Sequence, residues 1–112
     1  MSEEVLQAIK KAVAEHDVVL FMKGTPDFPQ CGFSAATVQI LRETGNPFTS
    51  MDVYSHPEFR PTLKGFSNWP TFPQLYVRGE LVGGADIVKE MHARGELKPL
   101  IEGKIEGKTE AG

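Results

Sequence analysis

Cys31 is the only cysteine among the 112 residues of this chain, and its neighbours are of the kinds that make a thiol reactive. It lies in Gly24-Thr25-Pro26-Asp27-Phe28-Pro29-Gln30-Cys31-Gly32-Phe33-Ser34, after the apolar run Val18-Val19-Leu20-Phe21-Met22 and before a helical pattern that begins near Phe33. A thiol at a helix N-terminus sits in the positive field of unpaired backbone N–H groups, which favours the thiolate. Lys23, at the end of the apolar run, can add a second positive charge. A thiolate serves as a nucleophile or as a metal ligand, so two chemistries stay open. The plain alternative is an inert packed cysteine, against which the flanking prolines and glycines argue for an exposed loop. Three residues on stands Ser34, where a C-x-x-C site carries its second thiol. Serine cannot resolve a mixed disulfide, so any disulfide made by Cys31 needs an outside thiol. The ordinary use of Ser34 is to satisfy free N–H groups at a helix start.

Two more segments could complete a site. In Trp69-Pro70-Thr71-Phe72-Pro73 each proline imposes an extended conformation on the residue before it. If the strand that follows lies beside the Val18–Met22 run, Thr71 and Phe72 present free backbone groups near the thiol, and a short extended peptide could add there as a strand. An aromatic core corner is the other use for Trp69 and Phe72. Gly83-Gly84-Ala85-Asp86 is a glycine turn into a helix, a seat for a carboxylate on backbone N–H groups, with Asp86 able to receive an ammonium; it could equally be a simple cap. His16, His56 and His92 are scattered without metal-ligand spacing and read as surface residues.

The elements that must position these residues follow from periodicity. Ser2 caps a first helix with Glu3 and Glu4 in its opening turn and Val5, Leu6, Ile9, Ala12 and Val13 on its apolar face. It stops near His16-Asp17. Val18 to Met22 has no alternation, the pattern of a strand covered on both faces. Phe33, Ala36, Ile40 and Leu41 form the next helical stripe, with Thr37 as its one polar member, and Thr44-Gly45-Asn46-Pro47 ends it. Phe48 to Val53 reads as a second strand, parallel to the first through a right-handed crossover. Ser55-His56-Pro57-Glu58 opens a third helix in which Pro61 predicts a kink or a late start. Gln74 to Val77 and Glu80 to Val82 form a hairpin about an Arg78-Gly79 turn. A fourth helix starts at Ala85-Asp86 with Ile87, Val88 and Met91 inward, and 95–101 adds a short final turn. The order α-β-α-β-α-β-β-α describes a small α/β sandwich, a four-stranded mixed sheet with helices on both faces.

Bulk properties narrow the function classes. The length fits one domain with its own core, taken as residues 1–101, followed by a polar tail, 102–112, that repeats Glu-Gly-Lys and reads as flexible. The net charge of -3 gives no row of cations for nucleic acid or an anionic membrane. The longest apolar run is about five residues, far short of a membrane span. The acidic N-terminus lacks the apolar stretch of a secretory signal and the arginines of a transit peptide. A lone cysteine suits a reducing compartment, so a cytoplasmic location is expected.

With Lys23, Cys31-Gly32-Phe33-Ser34, Trp69-Pro70-Thr71-Phe72-Pro73-Gln74 and Gly83-Gly84-Ala85-Asp86 in this order, the chain closely resembles the CGFS-type monothiol glutaredoxins over roughly residues 2–101. The resemblance implies a thioredoxin fold with Pro73 in the cis form, and a glutathione site. Lys23 and Arg60 would hold the glycine-end carboxylate, the Phe72 backbone would pair with the cysteinyl unit, and the Ala85 N–H and Asp86 carboxylate would take the γ-glutamyl end. It further implies that Cys31 is an iron ligand: two protomers, each with one cysteine and one glutathione, would share a [2Fe–2S] cluster at a homodimer interface. The ligand count agrees, since such a cluster takes four thiolates and one chain offers one. Lys23 would also offset the cluster's negative charge. Partners implied by the family are apo iron–sulfur acceptor proteins and a BolA-like protein that can replace one protomer. Where many bacterial relatives have a second cysteine this chain has Ala85, which excludes an internal disulfide. The Pro26–Gln30 segment and the Trp69-Pro70 pair resemble the poorly reducing, cluster-binding branch. A glutathione-dependent thiol–disulfide oxidoreductase and a regulatory partner of a BolA-like protein are the alternatives.

Overall fold

The central strand of the sheet, β1 (Val18–Met22), explains why its sequence shows no alternation. In the computed structural model, which describes residues 2–104, all five of its residues are buried. Val18, Leu20 and Met22 point into one core cluster and Val19 and Phe21 into another, on the opposite face. The first helix, α1 (Glu3–Glu15), is capped by Ser2, whose Oγ accepts the Val5 N–H at 3.2 Å, and Ser2 itself donates its N–H to Thr62 Oγ1 at 3.1 Å. After β1 come α2 (Gly32–Glu43), β2 (Thr49–Asp52), α3 (Phe59–Ser67), the hairpin β3 (Gln74–Val77) and β4 (Glu80–Gly83), then α4 (Ala85–Ala93) and α5 (Leu97–Ile101). The sheet order is β2-β1-β3-β4; β1 runs parallel to β2, and β3 is antiparallel to both its neighbours. Helices α1 and α3 supply one core, and α2, α4 and α5 the other. The mixed four-stranded sheet between two helical layers is the expected sandwich.

Several boundaries differ from the reading of the sequence, each for a physical reason. The second strand is shorter than 48–53, because it is an edge strand paired on one side only. Val53 lies outside it yet is fully buried and still donates its N–H to Met22 O at 2.8 Å. The third helix does start late, at Phe59. Pro61 then occupies the first turn, where backbone N–H groups have no helical partner, so its missing donor costs nothing. Asn68 ends the helix in the left-handed conformation (φ 53°), with its N–H donating to Lys64 O at 2.9 Å. Strand β4 includes Gly83, because a register shift against Leu75 and Tyr76 carries the chain one residue further. Leu6 is only half-buried at the rim of α1.

The largest correction concerns α2. Its buried row is Ser34, Thr37, Val38 and Leu41, while Phe33 and Ala36 face solvent and Ile40 is half-buried. Hydrophobicity alone picked a neighbouring row. Ser34 and Thr37 can be buried because their hydroxyls are bonded, the first accepting the Lys23 N–H at 3.1 Å and the second donating to Phe33 O at 2.8 Å. Gly103 (φ 75°) closes α5, with the Gly103 N–H donating to Leu100 O at 3.1 Å and the Lys104 N–H to Pro99 O at 2.8 Å; the tail beyond 104 lies outside the described residues.

Candidate functional site

Cys31 is the N-cap residue of α2, with extended backbone (φ -158°, ψ 138°) and a half-buried side chain. Its placement depends on the loop before it, which folds back on the end of β1. The Gln30 N–H donates to Lys23 O at 2.8 Å, Gly24 bridges to Pro29, and Thr25 and Phe28 exchange backbone bonds of 3.3 and 3.1 Å. Asp52 Oδ1, at the end of β2, accepts the N–H groups of Gly24 (2.9 Å) and Tyr54 (2.8 Å) and so fastens this loop to the sheet. The Arg42–Asp27 pair at 2.9 Å is exposed and adds little.

The surroundings of Cys31 favour its thiolate. The Ser34 N–H facing the sulfur is the largest influence and holds the Cys31 pKa below the ordinary thiol value. Partial burial opposes it, and the Phe33 N–H, the Lys23 charge and the Ser34 hydroxyl act in the same direction as the Ser34 N–H. The Ser34 hydroxyl already accepts from Lys23 N–H, which leaves its own proton free to face the sulfur. Ser34 therefore has a role beside the thiol that a resolving group would not fill. Alkylation by iodoacetamide should show a pH midpoint below that of a free thiol, returning to the ordinary value in urea. A midpoint unchanged by unfolding would remove the claim that the fold activates Cys31.

The thiol opens onto a cleft of about 460 Å³. All six residues singled out from the sequence line it: Lys23, Cys31, Arg60, Phe72, Ala85 and Asp86. Lys23 follows directly on β1 and Arg60 sits in the first turn of α3, its guanidinium 5.0 Å from the Tyr54 ring centre. Phe72 lies in a bend just before β3, and the Phe72–Pro73 peptide bond is cis. Its N–H and C=O take no backbone partner among the described residues, so an edge of backbone is free opposite the thiol. Ala85 and Asp86 open α4, whose N-cap Gly84 has no side chain to satisfy the first N–H groups. The preceding Gly83 adopts φ 145°, and a Cβ there would lie 2.6 Å from Ile87 Cδ1, so glycine is required for the turn into α4.

Sequence reading missed Lys64, which lines the same cleft one helical turn after Arg60 and stands 5.6 Å from the Phe72 ring centre. The i, i+4 spacing on α3 was the available signal. It also misplaced Phe33, 64% exposed at the cleft rim instead of packed in the core; Phe28 is 75% exposed on the preceding loop. The cleft thus has cations at Lys23, Arg60 and Lys64 and an anion at Asp86. No group of three or more His, Cys, Asp or Glu side chains able to hold a metal occurs among the described residues.

A four-stranded mixed sheet between helical layers, one thiol at the N-terminus of α2, the free backbone of Phe72 and the start of α4 lining the same cleft define a single-thiol protein of the thioredoxin-like class. The comparisons with known proteins are specific. The glutaredoxin family model matches residues 18–82. The chain is 50% identical over 98 residues to glutaredoxin 4 of Pasteurella multocida (88% of this chain, 90% of that protein). It is 52% identical over 95 residues to a probable monothiol glutaredoxin 2 of Rickettsia felis (85% and 91%). Among solved structures it is similar to reduced apo GrxS14 from poplar, at TM-score 0.76, 50% identity and coverage of 87% and 89%. It is also similar to a truncated monomeric mutant of Trypanosoma brucei 1-C-Grx1, at TM-score 0.81, 40% identity and coverage of 88% and 90%. The chain belongs to the glutaredoxin family, in its monothiol branch.

Proposed function

We propose that this monothiol glutaredoxin binds glutathione in the cleft and, with Cys31 and glutathione as co-ligands, carries a [2Fe–2S] cluster shared between two copies of the chain, for assembly, storage or transfer to apo acceptor proteins. The observation that carries the reading is the convergence of six residues from separate segments on one cleft with a single activated thiol at its mouth.

Each part of the cleft has a use toward glutathione. Lys23 and Arg60 would take its glycine-end carboxylate. The free N–H and C=O of Phe72 would pair with the cysteinyl unit as an added strand. The uncapped start of α4, at the Ala85 N–H, would take the γ-glutamyl carboxylate, and Asp86 the ammonium. On this reading both ends of a short peptide with two carboxylates and one ammonium would meet opposite charges, and its thiol would lie beside Cys31. As cargo, a [2Fe–2S] cluster demands four thiolates. One chain has one, and the described residues hold no alternative ligand set, so glutathione and a second chain would complete it. The cluster with four thiolates is anionic, and Lys23, Arg60 and Lys64 supply positive potential at the same mouth. A BolA-like protein in place of one protomer belongs to the same proposal, as does a cytoplasmic setting in which glutathione is abundant and reduced.

A second reading is favoured by the lowered pKa and the exposure of Cys31: the thiolate could attack a glutathione mixed disulfide, release the target thiol and hold glutathione until an outside thiol frees it. Anaerobic purification with glutathione, followed by visible absorbance, iron per chain and mass, separates the two. A coloured, iron-containing dimer is expected. A colourless monomer that rapidly reduces a glutathione mixed disulfide would leave the oxidoreductase reading in place of the carrier.

Lys23→Ala should weaken glutathione binding about three- to tenfold, the worth of one charge-assisted contact at a partly exposed site. Calorimetry on the purified protein reads it directly. An unchanged dissociation constant would make Lys23 a solvated strand end.

A further inference from the structure

Gln74 is the member of the Trp69–Gln74 segment with no part in the site as described above. It is completely buried at the start of β3, although a primary amide is costly to desolvate and an apolar side chain would pack there without that cost. Its amide faces the chain that precedes it. Nε2 donates to Trp69 O and to Thr71 O, both at 3.1 Å. Two carbonyl partners require the two protons of the NH₂ group, so the orientation of the amide is determined, and its Oε1 is left without a donor among the described residues.

The segment it holds has few other restraints. The Trp69 N–H donates to Ser67 Oγ at 3.1 Å. Pro70 and Pro73 have no N–H, and Thr71 and Phe72 take no backbone partner among the described residues. The Trp69 indole Nε1 is also buried without a partner among the described residues. Nothing in the sheet ladder fixes the backbone of Phe72, because the pairing of β3 with β1 begins only at Gln74 opposite Phe21.

We propose that Gln74 is a positioning residue: by bridging the carbonyls of Trp69 and Thr71 it holds the Phe72 backbone in the single conformation that a bound thiol peptide must match. The inference rests on the reading of the cleft as a glutathione site for its consequence, though the holding itself does not. An added strand gains affinity only where its template is already ordered, since otherwise binding must supply the ordering.

The test is Gln74→Met, which keeps volume and removes both donors. In the ¹⁵N-labelled full chain the Phe72 and Thr71 amides should broaden by microsecond-to-millisecond exchange. The dissociation constant for glutathione should rise about tenfold, as the loss of two buried hydrogen bonds implies. The alkylation midpoint of Cys31 should not move, because Ser34, Phe33 and Lys23 act on it from elsewhere. A general structural loss would not give that split. If the Phe72 amide in the variant is as ordered as in the wild type, the proposal is wrong, whatever happens to affinity. Broadening at Phe72 in a protein whose wild type does not bind glutathione would uphold the positioning role and overturn the glutathione reading instead. Should the variant not fold, the wild type still decides: slow solvent exchange of the Gln74 side-chain amide protons supports the bridge, and exchange as fast as in a free glutamine refutes it.

Discussion

Cys31→Ser should reduce iron in anaerobically purified protein to background and remove the visible absorbance of the proposed cluster, while leaving the fold intact. Serine is near in size to cysteine but does not ionise at neutral pH, so the chain loses its only thiolate ligand. The described residues contain no His, Cys, Asp and Glu group that could take over. Stability should change by less than about 0.5 kcal/mol, because Cys31 is half-exposed and makes no capping hydrogen bond with its side chain. Iron per chain, absorbance and thermal midpoint measured together make the result decisive. A variant that retains normal iron at an unchanged midpoint would show that Cys31 is not a ligand. One that loses iron together with its fold would say nothing about ligation, and the small expected stability change is what makes the experiment clean.

Gly24→Ala should damage the protein more than any other conservative loop change, although Gly24 touches no ligand in the proposed site. Its φ of 90° is a left-handed conformation that costs an alanine about 1–2 kcal/mol. A Cβ at this position would also lie 2.5 Å from Phe28 O and 2.7 Å from Gln30 N. Both atoms are backbone, held by the Thr25–Phe28 and Gln30–Lys23 bonds, so neither can swing aside. The loop that delivers Cys31 would have to reopen. A loss of about 2–4 kcal/mol follows, with the thermal midpoint lower by about 10–20 °C. Gly45→Ala is the internal control: its φ is 75°, but nothing lies within 4 Å of the added Cβ, so only the conformational cost of about 1 kcal/mol applies. Thermal denaturation of both variants checks the pair. Equal losses would mean that the close return of the loop over Gly24 contributes nothing. The alkylation midpoint of Cys31 should also rise in Gly24→Ala alone, because the Ser34 and Phe33 N–H groups act only on a sulfur held at the helix start.

The sequence by itself determined the element order, the α/β class and the family. These follow from local facts: an unbroken apolar run for a strand buried on both faces, a serine cap, prolines and glycines at turns, and motifs whose residues lie within a few positions of each other. Even the late start of α3 could be read from Pro61. Other features were beyond local reading because they depend on what arrives from distant segments. The buried row of α2 contains Ser34 and Thr37, which are polar by composition and can be buried only because Lys23 N–H and Phe33 O satisfy them. Hydrophobic periodicity therefore placed Phe33 in the core, and the fold put it at the cleft rim. Lys64 joined the site through the packing of α3, and Gln74 acquired its role through two carbonyls above it. Above all, only the pairing of β1 with both β2 and β3 brings Lys23, Phe72 and the start of α4 around one thiol. Residue types decide which chemistry Cys31 can do. The tertiary structure decides whether charges and free backbone groups from 23 to 86 are near enough to be used, because contacts between remote segments are set by packing and not by spacing along the chain.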